Sequence, residues 1–350
     1  MSKVLVTGAT GFLAGHCVAE LLEHGHSVRG TVRSLADPAR FAHLGPDVEL
    51  VEADLRDDRG WAAAAAGCDA VLHVASPFPD TPPRDERELI GPAVDGTLRV
   101  LRAAAAAGVR RVVLTSSIAA VSAGRRPGDD RVRTEADWSD VDRSPAYPKS
   151  KTLAERAAWR FVEEHPELEL VTLNPGMILG PVRNASASTS VAVVRRLLNR
   201  EMPAVPKLGF AMVDVRDLAT AHRLAMENPA AAGNRYICAG ENRWLPDLAA
   251  MLAEEFNPRG HRVPTGRLPY WLMWTIARFD RGLRLGLDFA NRPERVDASK
   301  AVRELGWRMR PVRESLVDTA ESLLAHGVVP VRGVSRARPA DRHPRPVPRS

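Results

Sequence analysis

Tyr147 and Lys151 are the two side chains whose types and spacing best fit acid–base chemistry in this sequence. They stand four residues apart in SPAYPKSKTLAERAAW, and a helix brings positions i and i+4 to one face. A positive charge beside a phenol favours the phenolate and lowers the tyrosine pKa from its usual value of about 10. The pair predicts a phenol that gives or takes a proton. Taken alone, it is also compatible with a solvated helix face.

The elements that must position this pair begin at the N-terminus. The segment KVLVTGATGFLAGHCVAELLEHGHSVRGTVR has the pattern of strand, glycine turn, helix and strand. Gly8 and Gly11 would let the backbone approach a pyrophosphate lying on the first amides of the helix, where the helix dipole is positive. Ala14 occupies the third place of the glycine fingerprint and is small enough for close helix–strand packing. The pattern predicts a dinucleotide-binding βαβ unit.

The end of the second predicted strand indicates which dinucleotide binds. Sites for NAD place Asp or Glu about 20 residues beyond the glycines, where the carboxylate accepts from the ribose 2′-hydroxyl. Here the strand ends in Thr31-Val32-Arg33, with no acid. The guanidinium of Arg33 can bind a 2′-phosphate through charge-assisted hydrogen bonds, and Arg40 offers a second partner. NADP(H) is therefore favoured over NAD(H); arginines decorating a surface loop are the alternative.

Three later predicted strands end in side chains that fall at the same edge of the sheet. Ligands of open α/β sheets bind beyond the carboxyl ends of the strands, so a shared position there predicts one composite site. The segment VELVEADLRD supplies a carboxylate and an apolar side chain to flank an adenine ring. The end of the strand in AVLHVASPF is expected to lie beside the cofactor. The strand ends are Asp54-Leu55, Val74-Ala75-Ser76 and Thr115-Ser116-Ser117.

Together these motifs resemble the extended short-chain dehydrogenase/reductases. The resemblance rests on TGATGFLAGH, Asp54-Leu55, HVASPF, LTSSIAAV, Tyr147-x-x-x-Lys151 and LNPGMILGP, and covers roughly residues 3 to 328. Within the NAD-dependent epimerase/dehydratase superfamily, the chain is most similar to the branch of dihydroflavonol 4-reductases, cinnamoyl-CoA reductases and yeast-type aldehyde or ketone reductases. Ala14 is similar to the yeast-type carbonyl reductases and counts against a flavonoid substrate.

The resemblance implies a role for each matching position. Tyr147 matches the catalytic acid/base, and Lys151 matches the lysine that holds the nicotinamide ribose and lowers the tyrosine pKa. Ser117 matches the serine that binds the substrate carbonyl, with Ser116 as the rival position. The implied cofactor contacts are Gly8, Gly11, Phe12 and Leu13 for the pyrophosphate, Arg33 and Arg40 for the 2′-phosphate, Asp54 and Leu55 for the adenine, Val74, Ala75 and Ser76 for the ribose region, and Pro175 and Met177 beside the nicotinamide.

The implied function is reduction of a ketone or aldehyde to an alcohol by hydride transfer from NADPH. Ser117 and Tyr147 would hydrogen-bond the oxygen on which negative charge develops, and Tyr147 would supply the proton. The substrate is expected to be a small apolar carbonyl compound or alcohol. The residues that indicate this are Phe78, Met177, Met212, Trp271 and Trp274.

Three other functions stay open at this point. The same site can run in reverse, as a 3β-hydroxysteroid-type alcohol dehydrogenase. A nucleotide-sugar epimerase or dehydratase uses the same scaffold, but such enzymes retain NAD, and Arg33 without an acidic neighbour counts against it. A catalytically silent NADP-sensing regulator is the third alternative, against which the intact pair of Tyr147 and Lys151 counts.

Alternating predicted strands and helices indicate an α/β fold, a Rossmann-type doubly wound parallel sheet with a smaller C-terminal substrate-binding part. With 350 residues, 45% of them apolar, the chain is long enough to bury a large core. We expect an NADP-binding domain over 1–180, with returns at about 211–240 and 291–306, and substrate-binding segments over 181–330.

The net charge of +6 belongs mostly to residues 331–350, where six arginines and one aspartate carry +5 of it. This proline-rich segment has few large apolar residues and is expected to be a disordered basic tail. The three cysteines have no paired spacing, which argues against a zinc site or disulfide framework and for a reducing compartment. With no signal peptide and no apolar stretch of about 20 residues, we expect a cytoplasmic protein, monomeric or homodimeric, without metal, membrane or nucleic-acid partners.

Overall fold

The structure is a computed structural model that describes residues 1–76, 85–126, 128–184, 188–240, 242–278 and 290–330. Phe78 and the tail over 331–350, for which the sequence predicts substrate contact and disorder, lie outside the described residues. The strands are β1 (Lys3–Val6), β2 (Ser27–Val32), β3 (Val48–Glu52), β4 (Ala70–His73), β5 (Arg111–Thr115), β6 (Glu169–Pro175), β7 (Met177–Leu179), β8 (Val205–Pro206), β9 (Gly209–Asp214), β10 (Arg235–Cys238), β11 (Asn242–Trp244) and β12 (Arg267–Leu268).

The helices alternate with the strands in the first part of the chain and dominate the last part. They are α1 (Phe12–Glu23), α2 (Trp61–Ala65), α3 (Arg87–Ala106), α4 (Ala119–Ser122), α5 (Ala146–Glu164), α6 (Thr189–Leu198), α7 (Val215–Glu227), α8 (Leu245–Phe256), α9 (Tyr270–Ile276), α10 (Ser299–Leu305) and α11 (Val312–Ala325). Among the helices that the structure describes, none is long and apolar enough to cross a membrane.

Within the described residues, a central sheet of seven strands has the order β10-β6-β5-β4-β1-β2-β3. Every neighbouring pair in it is parallel. The order reverses at β1, which pairs with β2 on one side and with β4 on the other. In open α/β sheets such a reversal opens a crevice at the carboxyl ends of the strands, where ligands bind. The predicted Rossmann-type doubly wound sheet is confirmed.

Apolar runs explain why the central strands are buried on both faces. Val4, Leu5 and Val6 of β1 are at most 1% exposed. One face of the sheet is covered by α1 and α7, whose apolar residues share a core with β1. The other face is covered by α2, α3 and α5. Buried on both sides, the sheet fixes the carboxyl ends of β1, β4 and β5 relative to one another.

A second apolar core lies under α6, α8 and α11, together with residues of β7, β8 and β9. In the described part of the chain, β7, β9 and β11 form a three-stranded sheet, and β8 pairs with β12. The later strand β10 nevertheless joins the central sheet beside β6. The domain limits expected at residues 180 and 330 stay a prediction.

Candidate active site

Helix α5 brings the predicted acid–base pair to the end of strand β5. The helix begins after Pro145, so Tyr147 lies in its first turn, and both Tyr147 and Lys151 are half-buried. The Tyr147 hydroxyl hydrogen-bonds the side chain of Ser117, which follows β5. Lys151 Nζ donates to the backbone oxygen of Thr115 at 3.5 Å. The three residues predicted as catalytic therefore meet at the carboxyl edge of the central sheet.

Burial controls the ionisation of this pair. It raises the pKa of Tyr147 above its ordinary value, and the hydrogen bond with Ser117 opposes that shift only in part. Burial also lowers the pKa of Lys151 to about 8. The negative charge of Glu155 raises the pKa of Lys151 and opposes part of this effect. The sequence led us to expect a Tyr147 pKa lowered by Lys151. In the protein by itself the desolvation of the phenol sets the direction of the shift, so Tyr147 carries its proton at neutral pH.

The two candidate serines have different surroundings. Ser116 is 5% exposed, and its hydroxyl donates to the Glu155 carboxylate. Ser117 is half-buried; its Oγ accepts from the Ala119 amide at 3.1 Å and meets the Tyr147 hydroxyl. Ser116 is thus engaged inside the protein, and Ser117 is the serine that faces the phenol.

The glycine turn after β1 contacts the end of β4. Gly8 has a φ of +66°, and a Cβ atom added there would lie 3.0 Å from Ala75 Cβ. Two threonine side chains fix this approach: Thr7 Oγ1 accepts from the Ala75 amide at 2.9 Å, and Thr31 Oγ1 accepts from the Gly8 amide at 2.9 Å. A side chain at position 8 would fill the narrow space between Gly8 and Ala75. The neighbouring predicted contacts on the β4 end are Val74, half-buried, and Ser76, exposed.

The start of α1 provides backbone donors suited to a pyrophosphate. Gly11 is the N-cap residue, and no side chain caps the helix there. The Gly11 amide donates to Gly8 O at 2.8 Å, which closes the turn. Phe12 and Leu13 begin the helix, so their amides have no acceptor within it. Amides at this positive end of the helix dipole fit the diphosphate of a dinucleotide.

Arg33 and Arg40, predicted to bind the 2′-phosphate, both follow β2 and are exposed. Arg40 ends a short 3-10 helix over Pro38–Arg40. Among the residues that the structure describes, neither guanidinium has a carboxylate partner within 4 Å. Two unpaired cations beyond the end of β2 suit a phosphate rather than a bare hydroxyl.

A second basic group, which sequence analysis missed, lies over α1. Arg183 Cδ and His43 Nε2 stand 3.7 and 3.9 Å from where a Cβ atom on Gly15 would be. His43 Nε2 also hydrogen-bonds the Asn184 side chain at 3.1 Å. Burial and the charge of Arg183 lower the pKa of His43. The loop after β7 is thus folded back onto the helix that carries the glycine turn, and no local pattern in PVRN signals it.

The adenine-flanking pair follows β3. Asp54 Oδ1 accepts from the Arg56 amide at 2.9 Å, and the Asp54 carbonyl accepts from Trp61 Nε1 at 2.9 Å. Leu55 is half-buried and packs against the core under α2 and α3. The turn is therefore fixed, and the adenine contact of both residues stays a prediction.

Pro175 and Met177 lie where β6 passes into β7. Pro175 is buried, and its carbonyl accepts from the Ile118 amide at 3.0 Å, next to Ser117. Met177 is half-buried and is in register with Met212 of β9. The structure thus places this segment beside the end of β5. Among the described residues, no cluster of His, Cys, Asp or Glu is arranged to hold a metal ion.

Glu155 is a further residue that sequence analysis missed. It is 1% exposed and lies one helical turn beyond Lys151. The signal for it was present, because Tyr147, Lys151 and Glu155 follow one another at i, i+4 and i+8 in AYPKSKTLAE. What the spacing alone does not reveal is the set of buried donors around its carboxylate.

Comparison with protein families gives a match over residues 4–239 to the model described as the NAD dependent epimerase/dehydratase family. Cinnamoyl-CoA reductase 1 of Arabidopsis thaliana is 36% identical over 334 residues, which cover 93% of this chain and 90% of that protein. A putative anthocyanidin reductase of Ginkgo biloba is 37% identical over 286 residues, covering 75% of this chain and 82% of that protein.

Comparison with solved structures also gives a reductase. The chain resembles the yeast methylglyoxal/isovaleraldehyde reductase Gre2 complexed with NADPH, with a TM-score of 0.77 and 28% sequence identity. The match covers 93% of this chain and 99% of the Gre2 chain.

Proposed function

The chain belongs to the NAD dependent epimerase/dehydratase family, and from this membership we propose that it reduces a ketone or aldehyde to an alcohol with NADPH, using Tyr147 as the acid. The resemblance to the extended short-chain dehydrogenase/reductases is confirmed, and the protein is an NAD(P)-dependent oxidoreductase. The observation that carries the proposal is the convergence of Ser117, Tyr147 and Lys151 at the sheet edge that also holds the glycine turn.

The cofactor proposal rests on the fit of the donor set. The close approach of Gly8 to Ala75 and the amides of Phe12 and Leu13 at the start of α1 suit the pyrophosphate. Arg33 and Arg40, which have no carboxylate partner among the described residues, suit a 2′-phosphate. The Gre2 structure is complexed with NADPH, which supports the same cofactor here. When bound, the dinucleotide supplies the hydride that carbonyl reduction requires.

The side chains of the site would handle the oxygen and the proton. Ser117 and Tyr147 would both hydrogen-bond the carbonyl oxygen, and these preorganised donors stabilise the negative charge that develops there. Tyr147 would then give its proton to the alkoxide. Because burial keeps the Tyr147 pKa above its ordinary value, the phenol holds this proton at neutral pH, which favours reduction over oxidation. The ammonium of Lys151 would offset the charge left on the phenolate.

The substrate proposal is a small apolar carbonyl compound. The relatives are named as a cinnamoyl-CoA reductase, a putative anthocyanidin reductase and a methylglyoxal/isovaleraldehyde reductase. Met177 and Met212 are paired between β7 and β9, and Trp271 and Trp274 of α9 are exposed. Met212 is 2% exposed within the second apolar core, so the proposal of an apolar ligand rests on Met177 and the two tryptophans, and it does not select one substrate.

The experiment is a screen of aldehydes, ketones and acyl-CoA thioesters with the full chain, followed by the loss of nicotinamide absorbance from NADPH. Turnover that needs NADPH and disappears in Tyr147→Phe is the expected result. A parallel arm offers nucleotide sugars without added cofactor. Conversion there, by protein that carries tightly bound NAD and consumes no NADPH, would contradict the proposal and favour an epimerase or dehydratase.

A further inference from the structure

Glu155 and Lys151 lie one helical turn apart on α5 and border the same small cavity. The cavity has a volume of about 20 Å³ and is also lined by Thr97 and Ser116. Alanine and leucine side chains form much of the rest of its lining, and a cavity of this size has room for one water molecule. Among the described residues Lys151 forms no ion pair, and its ammonium reaches only the carbonyl of Thr115. Glu155 therefore acts on Lys151 through its charge and not through a direct ion pair.

The Glu155 carboxylate is held in place by donors on both oxygens. Oε2 accepts from Ser116 Oγ and, at 2.8 Å, from Asn174 Nδ2. Oε1 accepts from Arg235 Nε at 2.7 Å and from Thr172 Oγ1 at 3.2 Å. These donors, one of them the Arg235 guanidinium, leave the carboxylate no freedom to turn. The negative charge is thus fixed in a buried position.

Few other charges face Lys151 from the elements packed on it. His73 of β4 is neutral, because burial and the Lys151 charge lower its pKa to about 3. Tyr147, on the same helix, keeps its proton. Arg235 of β10 lies beyond Glu155 and contacts Glu155 directly. Glu155 is thus the charge that opposes the desolvation of the lysine.

We propose that Glu155 is a positioning residue whose fixed negative charge keeps the half-buried Lys151 side chain in its ammonium form. The proposal deepens the proposed function and rests on it for its catalytic meaning, since the ammonium is what would offset a Tyr147 phenolate. Burial lowers the pKa of Lys151 to about 8 even with Glu155 present. Without Glu155 a large fraction of Lys151 would be neutral near pH 7, and the phenolate would lose its counter-charge.

The test measures the Lys151 pKa directly, by NMR titration of protein labelled with ¹³C at the lysine ε-carbon. The chain has only five lysines, which are Lys3, Lys149, Lys151, Lys207 and Lys300. The signal of Lys151 is the one lost in Lys151→Arg. In Glu155→Gln we expect its pKa to fall by about one unit or more, which is the usual effect of losing a neighbouring opposite charge. An unchanged pKa in folded Glu155→Gln would overturn the proposal.

Two control variants separate charge from packing. Thr172→Val removes a donor to the same carboxylate without changing any charge, so the Lys151 pKa is expected to stay as in the wild type. Arg235→Gln removes the cation beyond Glu155, so the Lys151 pKa is expected to rise. If Glu155→Gln does not fold, the Arg235→Gln titration decides, and a Lys151 pKa that fails to rise contradicts the proposal. The titration needs no substrate, so failure of the carbonyl screen would leave its result intact.

Discussion

Tyr147 and Ser117 are joined by a hydrogen bond between their side chains, although 30 residues separate them in the sequence. Tyr147 lies in the first turn of α5, and Ser117 lies two residues beyond the end of β5. The bond leaves one phenol and one hydroxyl side by side at the edge of the sheet. Two donors so arranged can bind a single carbonyl oxygen.

The first prediction tests the phenol. Tyr147→Phe keeps the ring and its packing but removes the proton donor, so we expect kcat to fall by about 10²–10⁴-fold, the usual share of a general acid. The affinity for NADPH, measured by fluorescence titration of the nicotinamide, should stay close to that of the wild type. Near-full turnover by the variant on an identified substrate would contradict the assignment of Tyr147 as the acid.

The second prediction concerns the pH dependence of reduction. The Lys151 pKa is about 8, so the ammonium is present below that pH and is lost as the pH rises through it. We expect kcat to be constant near neutrality and to decline above about pH 8. Steady-state rates measured across the pH range at saturating NADPH show where kcat declines. In Glu155→Gln the decline of kcat should begin at a lower pH. A decline at the same pH as in the wild type, in folded Glu155→Gln, would contradict the proposed effect of Glu155 on Lys151.

The third prediction concerns stability in acid. Burial lowers the pKa of His16 and His222 to about 4 and that of His73 to about 3. The unfolded chain binds protons at these histidines from about pH 6.5 downward, whereas the folded chain does not until a lower pH. The contribution of the neutral histidines to the free energy of unfolding is therefore complete above about pH 6.5 and is lost as the pH falls toward 4. Between pH 7 and pH 5 the free energy of unfolding should fall by about 2 kcal/mol for each histidine.

Urea unfolding at the two pH values measures this loss. His222 bonds Thr115 and the Leu218 carbonyl through its two ring nitrogens, so His222→Asn replaces a titrating group by a polar one. The variant should show a smaller loss of stability between pH 7 and pH 5 than the wild type. An equal loss in both proteins would mean that this histidine does not contribute to acid sensitivity.

Local patterns explain why much of the fold and part of the site were predictable. The glycine turn at Gly8 and Gly11 and the four-residue spacing of Tyr147 and Lys151 are each encoded within one short segment. The parallel sheet follows from apolar strands that alternate with helices. These features depend on backbone conformation and periodicity, which a sequence displays directly.

The remaining features depend on contacts between distant segments. Glu155 and Arg235 are 80 residues apart, and Arg183 and His43 meet over Gly15 from different parts of the chain. No spacing rule predicts such pairs. The Tyr147 pKa was expected to fall because the charge of Lys151 is visible in the sequence, whereas the opposing desolvation depends on burial.

The last prediction concerns the choice of cofactor. Arg33→Asp removes an exposed cation beyond β2 and places a carboxylate where the 2′-phosphate would bind. A charge-assisted hydrogen bond contributes about 1.5–3 kcal/mol, so the affinity for NADPH should fall by about 10-fold or more. NADH has no 2′-phosphate, so its affinity should fall less, or rise if the new carboxylate reaches its 2′-hydroxyl.

Arg160→Asp, at the exposed end of α5, is the control with the same change in net charge. Titration of both cofactors against the three proteins measures the NADPH/NADH affinity ratio. A ratio that is the same in wild type and Arg33→Asp would make Arg33 an ordinary surface arginine that does not bind the 2′-phosphate.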